Sequence, residues 1–377
     1  MREGNRQRGW RAVALVPGLL IFCCLVASEA QLLAMPEPSR GDTSLRNLGR
    51  RLFAEKTRSV TFTHRVRNSG ATSLEDVDVV IALPRDDERQ TVHSIAYTTE
   101  PVEITTDGWE QKSAHFTIAS IPAGGEAEIR MKVSVTLKAV EWLILDGDVG
   151  VRSEIPEKVA RHYLRDQETY HLSDKALREA AQSARLEEKG VLEQVRRIHD
   201  LVIDRLQYRR DDRWDPADSV LRRGDGSCSE YAYVMIALCR LNGIPARYAG
   251  GSWCEIPAWA APSGGGAGPV EVDRIFHRWV EVYLPRIGWY PIDPTQDDGA
   301  SAEGEPYRYF GKLPWHYLTM AHGDGDKLEG GLLGSEYRSN MRWRQGQRVA
   351  DGQVFVDRYA VWSTPEADPG LSARAGN

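Results

Sequence analysis

The chain has no excess of positive charge. Its 48 Lys and Arg are outnumbered by 54 Asp and Glu, for a formal net charge of −6 over 377 residues. A phosphate-binding surface usually shows as a basic patch and a high pI, so the balance argues against nucleic acid as a partner. The chain also lacks an apolar run of the roughly 20 residues that cross a bilayer. Ala12–Ala27 is shorter. Arg2, Arg6, Arg8 and Arg11 precede it and Ser28-Glu29-Ala30 follows, so residues 1–30 read as a secretory signal peptide. An uncleaved anchor is the alternative; after cleavage no stable membrane span is expected. The protein is expected to be exported, to the periplasm, the cell envelope or the medium.

Cysteine is scarce, with five in all. Cys23 and Cys24 lie in the signal segment, where the bulky Phe22 before Cys23 argues against lipoprotein cleavage. Cys228, Cys239 and Cys254 remain. No metal-binding pattern is present: His64, His93 and His115 are scattered, and His322-Gly323-Asp324-Gly325-Asp326 lacks the twelve-residue ligand pattern of a calcium loop. Neither metal nor cofactor is expected. What remains is an ordinary globular composition, 41% hydrophobic and 27% charged, long enough for two domains.

Residues 31–44, with Pro36, Pro38 and Gly41, read as a linker. From Arg58 the pattern alternates. Ser59–Asn68, Val77–Leu83, His115–Ile118 and Ala127–Leu137 are predicted strands, with Ala123-Gly124-Gly125 as a turn. Short alternating strands at this spacing predict an all-β sandwich of Ig-like type over 45–145. Helical signals follow from Ile155. Pro156 suits a first turn, Ser173 an N-cap, and Val191, Val195, Ile198, Val202 and Leu206 keep one helix face. His199 lies beside that stripe, at the surface or the edge of the core. Gly264–Gly268 marks an insertion over 255–272, either a lid or a plain linker. The aromatic stretch Tyr307–Tyr317 suits a groove or simple packing. A catalytic domain is expected over 150–345 and a C-terminal extension with a disordered end over 346–377.

Gly226-Ser227-Cys228-Ser229-Glu230-Tyr231 opens an apolar run that stops at Asn242-Gly243-Ile244-Pro245. This predicts a buried helix with a cysteine on its first turn. There the positive end of the helix dipole and unpaired backbone N–H groups favour the thiolate, which is the nucleophile. Such a cysteine needs an imidazole to take its proton and a carboxylate to orient the imidazole. Ile275–Leu284 reads as a strand carrying His277, Pro285–Gly288 as a turn, and Trp289–Pro294 as a return strand held to an edge or bulge by Pro291. In that hairpin, paired positions sum to roughly 573, placing His277 opposite a residue near 296, with Asp293 to Gln296 all candidates once a bulge or slip is allowed, since facing Cβ atoms are about 5 Å apart. Asp293 is favoured over Asp297 and Asp298, which read as the start of a polar loop. Cys228 and Cys239 would lie about 16 Å apart on one helix, too far for a disulfide. Cys239–Cys254 is then the one pairing compatible with a free nucleophile, and two unpaired thiols are the alternative.

These three blocks, with Ala246-Arg247-Tyr248 and Gly250-Gly251 after the helix, Arg278–Tyr283 after the histidine and Gly288–Thr295 around the aspartate, resemble the transglutaminase-like superfamily, a branch of the papain-like cysteine enzymes. The resemblance covers roughly residues 190–300. It implies an α+β, papain-like transglutaminase core, a helix-start cysteine packed on an antiparallel sheet, preceded here by the all-β sandwich. It also implies a Cys-His-Asp triad of Cys228, His277 and Asp293, a thioester intermediate, and a protein or peptide substrate cut by hydrolysis or joined by transamidation. No motif marks the oxyanion donor. The backbone N–H of Cys228 is one candidate, Tyr208 the second, and Trp214 the fallback. A cell-envelope cysteine peptidase and a catalytically silent scaffold that uses its β-sandwich are the alternative readings. Oligomeric state is not legible.

Overall fold

A computed structural model describes residues 49–107, 110–186, 190–210, 213, 215–254, 270–271, 275–323, 341–345 and 354–363. The expected signal peptide and linker, most of the glycine-rich insertion, Asp324–Asp326 and the last residues lie outside that set.

The first six strands are β1 (Arg50–Asn68), β2 (Leu74–Ala82), β3 (Gln90–Tyr97), β4 (Glu103–Thr106), β5 (Lys112–Ile121) and β6 (Glu126–Trp142). This N-terminal part is all-β. Period-2 alternation turns Val60, Phe62 and Val66 of β1, Val77, Val79 and Ile81 of β2, and Ile129, Met131, Val133 and Val135 of β6 into one shared core. β1 begins earlier than its alternation predicts. A bulge between Phe53 and Lys56, with Ala54 at φ 53°, breaks the pattern there. β3 and β4 escape a sequence reading because they are mostly exposed and carry little apolar alternation. Val354–Ser363 of the expected C-terminal extension (β16) pairs antiparallel with the free side of β1, and Met341–Gln345 (β15) pairs with β2.

Among the described residues, six helices follow β6: α1 (Glu157–Tyr163), α2 (Lys175–Ser183), α3 (Val191–Arg205), α4 (Ala217–Arg223), α5 (Cys228–Leu241) and α6 (Pro294–Ser301). Pro156 is the N-cap of α1 and so precedes its first turn. Asp174, and not Ser173, caps α2, because its carboxylate accepts from the N–H groups of Ala176 and Leu177 at 2.9 and 3.1 Å. The apolar face of α3 is buried as its spacing predicts. α5 is buried from Ser229 to Arg240 and ends where Gly243 takes φ +71°.

A four-stranded antiparallel sheet lies against α5, in the order β12 (Gly288–Ile292), β11 (Phe276–Leu284), β9 (Ala246–Trp253), β14 (Tyr317–Gly323). Val280, Val282 and Leu284 share one core with α5. β14 uses both of its faces. Leu318 and Met320 enter the core of the N-terminal sheets, while Tyr317 packs with Trp279. As an edge strand β14 presents outward backbone groups, and the Gln90 side chain meets both of those on Thr319, at 2.9 and 2.8 Å. The short strands β7 (Gln207–Tyr208) and β8 (Asp225–Gly226) run parallel just before α5.

Gly251 of β9 has no room for a side chain: an added Cβ would lie 1.8 Å from the Leu318 carbonyl oxygen of β14. Gly251→Ala is expected to destabilise the fold by about 1–3 kcal/mol, the usual range for overpacking. Urea denaturation checks this against Gly299→Ala. That helical position is open, so its change is expected to be neutral or to stabilise by up to about 1 kcal/mol.

Candidate active site

Cys228 is the first residue of α5 and is only partly exposed, whereas the next twelve residues are buried. Ser227 caps the helix. Glu230 reaches back to the Ser227 N–H at 2.8 Å and is itself held by Arg223 at 2.8 Å. Burial opposes ionisation of the Cys228 thiol. A hydrogen bond to His277 and the charge of that ring outweigh it, helped by the Arg278 guanidinium and the Arg278 backbone N–H, and the thiol is held below its ordinary value.

His277 lies near the start of β11, opposite Gly251 of β9 in the register. Its Nε2 lies 2.6 Å from Oδ2 of Asp293. Burial disfavours the charged ring. Asp293 and Cys228 more than offset that, and the imidazole is pushed up to about 10. Trp253 and Tyr317 pack on the ring, with centroids at 5.1 and 5.5 Å.

Asp293 is fully buried and is the N-cap of α6. Its Oδ1 accepts from the Gln296 N–H at 3.2 Å, and its Oδ2 accepts from both His277 and the Tyr317 hydroxyl, the latter at 2.9 Å. The β11–β12 ladder closes at Val280 and Ile292 with paired positions summing to 572. His277 and Asp293 therefore meet just past its end. Two expectations need correction here. Asp297 and Asp298 do not begin a polar loop but lie in α6, because Asp293 caps a helix with Pro294 at its first position. His199 is not at the surface: it is fully buried, with Nε2 3.0 Å from Asp297 Oδ2. α6 thus carries a second buried His–Asp contact one turn after the first. Asp298 accepts from the Tyr231 hydroxyl at 2.7 Å.

Tyr208 ends β7 and pairs with Gly226, two residues before Cys228. Its ring is half exposed, 6.5 Å from that of Tyr231. Burial first, and then the Cys228 and Asp293 charges, push the phenol up to about 12. It therefore keeps its proton and remains a donor. Trp214, the fallback donor, lies outside the described residues. Cys239 and Cys254 are buried in separate cores and are not joined to each other. Burial pushes the Cys239 thiol up to about 12, which leaves it unreactive. Among the described residues no cluster of His, Cys, Asp or Glu has metal-ligating geometry, and no helix is long and apolar enough to cross a membrane. Tyr317 is the site residue the sequence reading passed over. It sat in an aromatic stretch, with no motif to separate a hydrogen-bonding phenol from a packing one.

Residues 178–294 match the family model of the Transglutaminase-like superfamily. A crystal structure of a candidate cysteine protease from Cytophaga hutchinsonii shares the fold with a TM-score of 0.58, at 13% identity, over 84% of this chain and 93% of that one. An uncharacterized protein of Mycobacterium tuberculosis, Rv2569c, is 23% identical over 270 residues, covering 62% of this chain and 80% of its own. The uncharacterized Bacillus subtilis protein YebA is 35% identical over 71 residues, which is 19% of this chain and only 10% of YebA. Residues 178–294 of this chain are therefore similar to the core of the transglutaminase-like superfamily.

Proposed function

We propose that the protein is a cysteine-dependent acyl-transfer enzyme acting on protein or peptide amides. The observation that carries this is His277 Nε2 at 2.6 Å from the Asp293 carboxylate, beside a helix-start Cys228 thiol that this imidazole holds below its ordinary value. In this reading the resting site is a thiolate–imidazolium pair. The sulfur attacks the amide carbonyl carbon, and the C–O π electrons move onto oxygen. The oxyanion takes hydrogen bonds from the Cys228 backbone N–H and Tyr208, each worth about 3 kcal/mol. As the C–N bond breaks, the imidazolium gives its proton to the leaving amine and a thioester remains. Water, deprotonated by His277, then yields the acid; a primary amine yields a new amide. Asp293 keeps its negative charge throughout and holds the ring in one orientation.

Hydrolysis is the direct outcome where water reaches the thioester. A Cys228 held below its ordinary value supports an enzyme over a silent scaffold, whose thiol would behave like an unactivated one near 8.5. The basic, apolar N-terminus of the sequence supports export to the cell envelope or beyond. We assign the all-β part, read as an Ig-like sandwich, a positioning or recognition role. Incubation with a casein acceptor and a dansylated amine separates the outcomes. Fluorescent casein means transamidation, shortened casein means proteolysis, and neither from a folded protein removes the enzyme reading for this substrate class.

Iodoacetamide labelling of Cys228, followed by mass spectrometry, is expected to reach half its maximal rate well below pH 8.5. Cys228→Ala is expected to remove both the label and all turnover. The proton donated to the leaving amine is present below the imidazole value of about 10 and lost above it. Turnover should therefore fall as pH rises through about 10. The same sign holds for stability: the His277 contribution is complete below about 6.5, its unfolded value, and is lost as pH approaches 10.

Tyr208→Phe is expected to lower kcat by about 10²-fold with KM little changed, the loss of one oxyanion donor. A loss below threefold in steady-state kinetics removes Tyr208 from that role.

A further inference from the structure

Three hydrogen bonds converge on the Asp293 carboxylate, and two of them land on one oxygen. Oδ1 is occupied by the start of α6, through the Gln296 N–H. Oδ2 receives His277 Nε2 from β11 and the Tyr317 hydroxyl from β14. A carboxylate held only by a helix cap and one imidazole keeps a torsional freedom about its Cβ–Cγ bond. A second donor on Oδ2, from a different strand, removes it.

Tyr317 is well placed to be rigid. It is buried, its ring lies nearly parallel to Trp253 with centroids 6.1 Å apart, and Trp279 packs on it at 5.2 Å. Its own strand is held from the N-terminal sheets. Arg89 donates to the Tyr317 carbonyl oxygen at 2.5 Å and to the Thr319 hydroxyl at 2.9 Å, and the Gln90 amide brackets the Thr319 backbone.

We propose that Tyr317 is a positioning residue for the acyl-transfer reaction: its hydroxyl locks Asp293 Oδ2 onto His277 Nε2, and so keeps the imidazole aligned with the Cys228 sulfur. The inference rests on the catalytic reading of Cys228, His277 and Asp293. Tyr317 touches no reacting atom and acts through Asp293. Without its hydroxyl the carboxylate can swing, the imidazolium loses part of its counter-charge, and the thiolate loses part of its partner. Arg278, Tyr208, Asp297, Tyr309 and His316 also act electrostatically on this group of residues. All of them are retained when only the Tyr317 hydroxyl is removed.

The test is the pH profile of Cys228 labelling by iodoacetamide, which needs no knowledge of the natural substrate. Tyr317→Phe keeps the ring and its stacking, and is expected to melt close to the wild type. Its labelling rate at pH 6 should fall by about tenfold, a midpoint raised by about one pH unit, the scale of one lost hydrogen bond to a charged network. At pH 10, above the midpoints expected for both proteins, the rates should agree within about twofold. Asp293→Asn should raise the midpoint at least as far, and Tyr317→Phe added to it should shift the midpoint little more. A hydroxyl that only stabilised the fold would lower the melting temperature on removal and leave the midpoint in place. An unmoved or lowered midpoint in Tyr317→Phe overturns the proposal, and so do additive shifts in the double variant. A wild-type midpoint already near 8.5 overturns the catalytic reading itself; a depressed wild-type midpoint unmoved by Tyr317→Phe overturns only the role of Tyr317.

Discussion

The carboxylate of Asp293 is fully buried and is anchored by hydrogen bonds from three protein groups. A buried carboxylate without hydrogen bonds would be costly. This one accepts from a backbone N–H, an imidazole and a phenol. Each partner comes from a different element: α6, β11 and β14. The three must be in register before the carboxylate is satisfied. The geometry of the imidazole is thereby tied to the packing of the whole sheet, and the state of the thiol is tied to the imidazole.

The surrounding elements supply what those contacts require. α5 brings the sulfur to its N-terminus, where the helix dipole and the open backbone N–H groups favour negative charge. The sheet β12-β11-β9-β14 holds His277 between Gly251 on one neighbouring strand and the end of the hairpin. Gly251 is needed because β14 passes too close for any side chain. β14 is shared, since its Leu318 and Met320 complete the core of the N-terminal sheets. The all-β part is therefore built into the wall of the site through the strand that carries Tyr317.

Much of this was readable from residue order, and the exceptions have physical causes. The cysteine helix, the histidine strand and the return strand all show in local pattern, because their signals are periodicity and turn chemistry within a dozen residues. α6 was misread as a loop. Thr295-Gln296-Asp297-Asp298-Gly299 looks polar, but Asp293 caps it as a helix, and its Asp297 meets a histidine 98 positions away. His199 was placed at an edge for the same reason, since its partner belongs to another element. Ser173 and Asp174 are both good caps in isolation, and only the geometry shows which side chain meets the helix N–H groups.

The sequence by itself determined which side chains could perform the chemistry and roughly where each would sit along helix or strand, because propensity, capping and alternation act over a few residues. Folding at long range settled that Tyr317 shares the Asp293 oxygen with His277, and that His199 and Asp297 form a second buried contact. Those choices depend on strand order and on desolvation of groups far apart in the chain. No local pattern encodes either, because the free energy of a buried polar group is set by whatever folds against it.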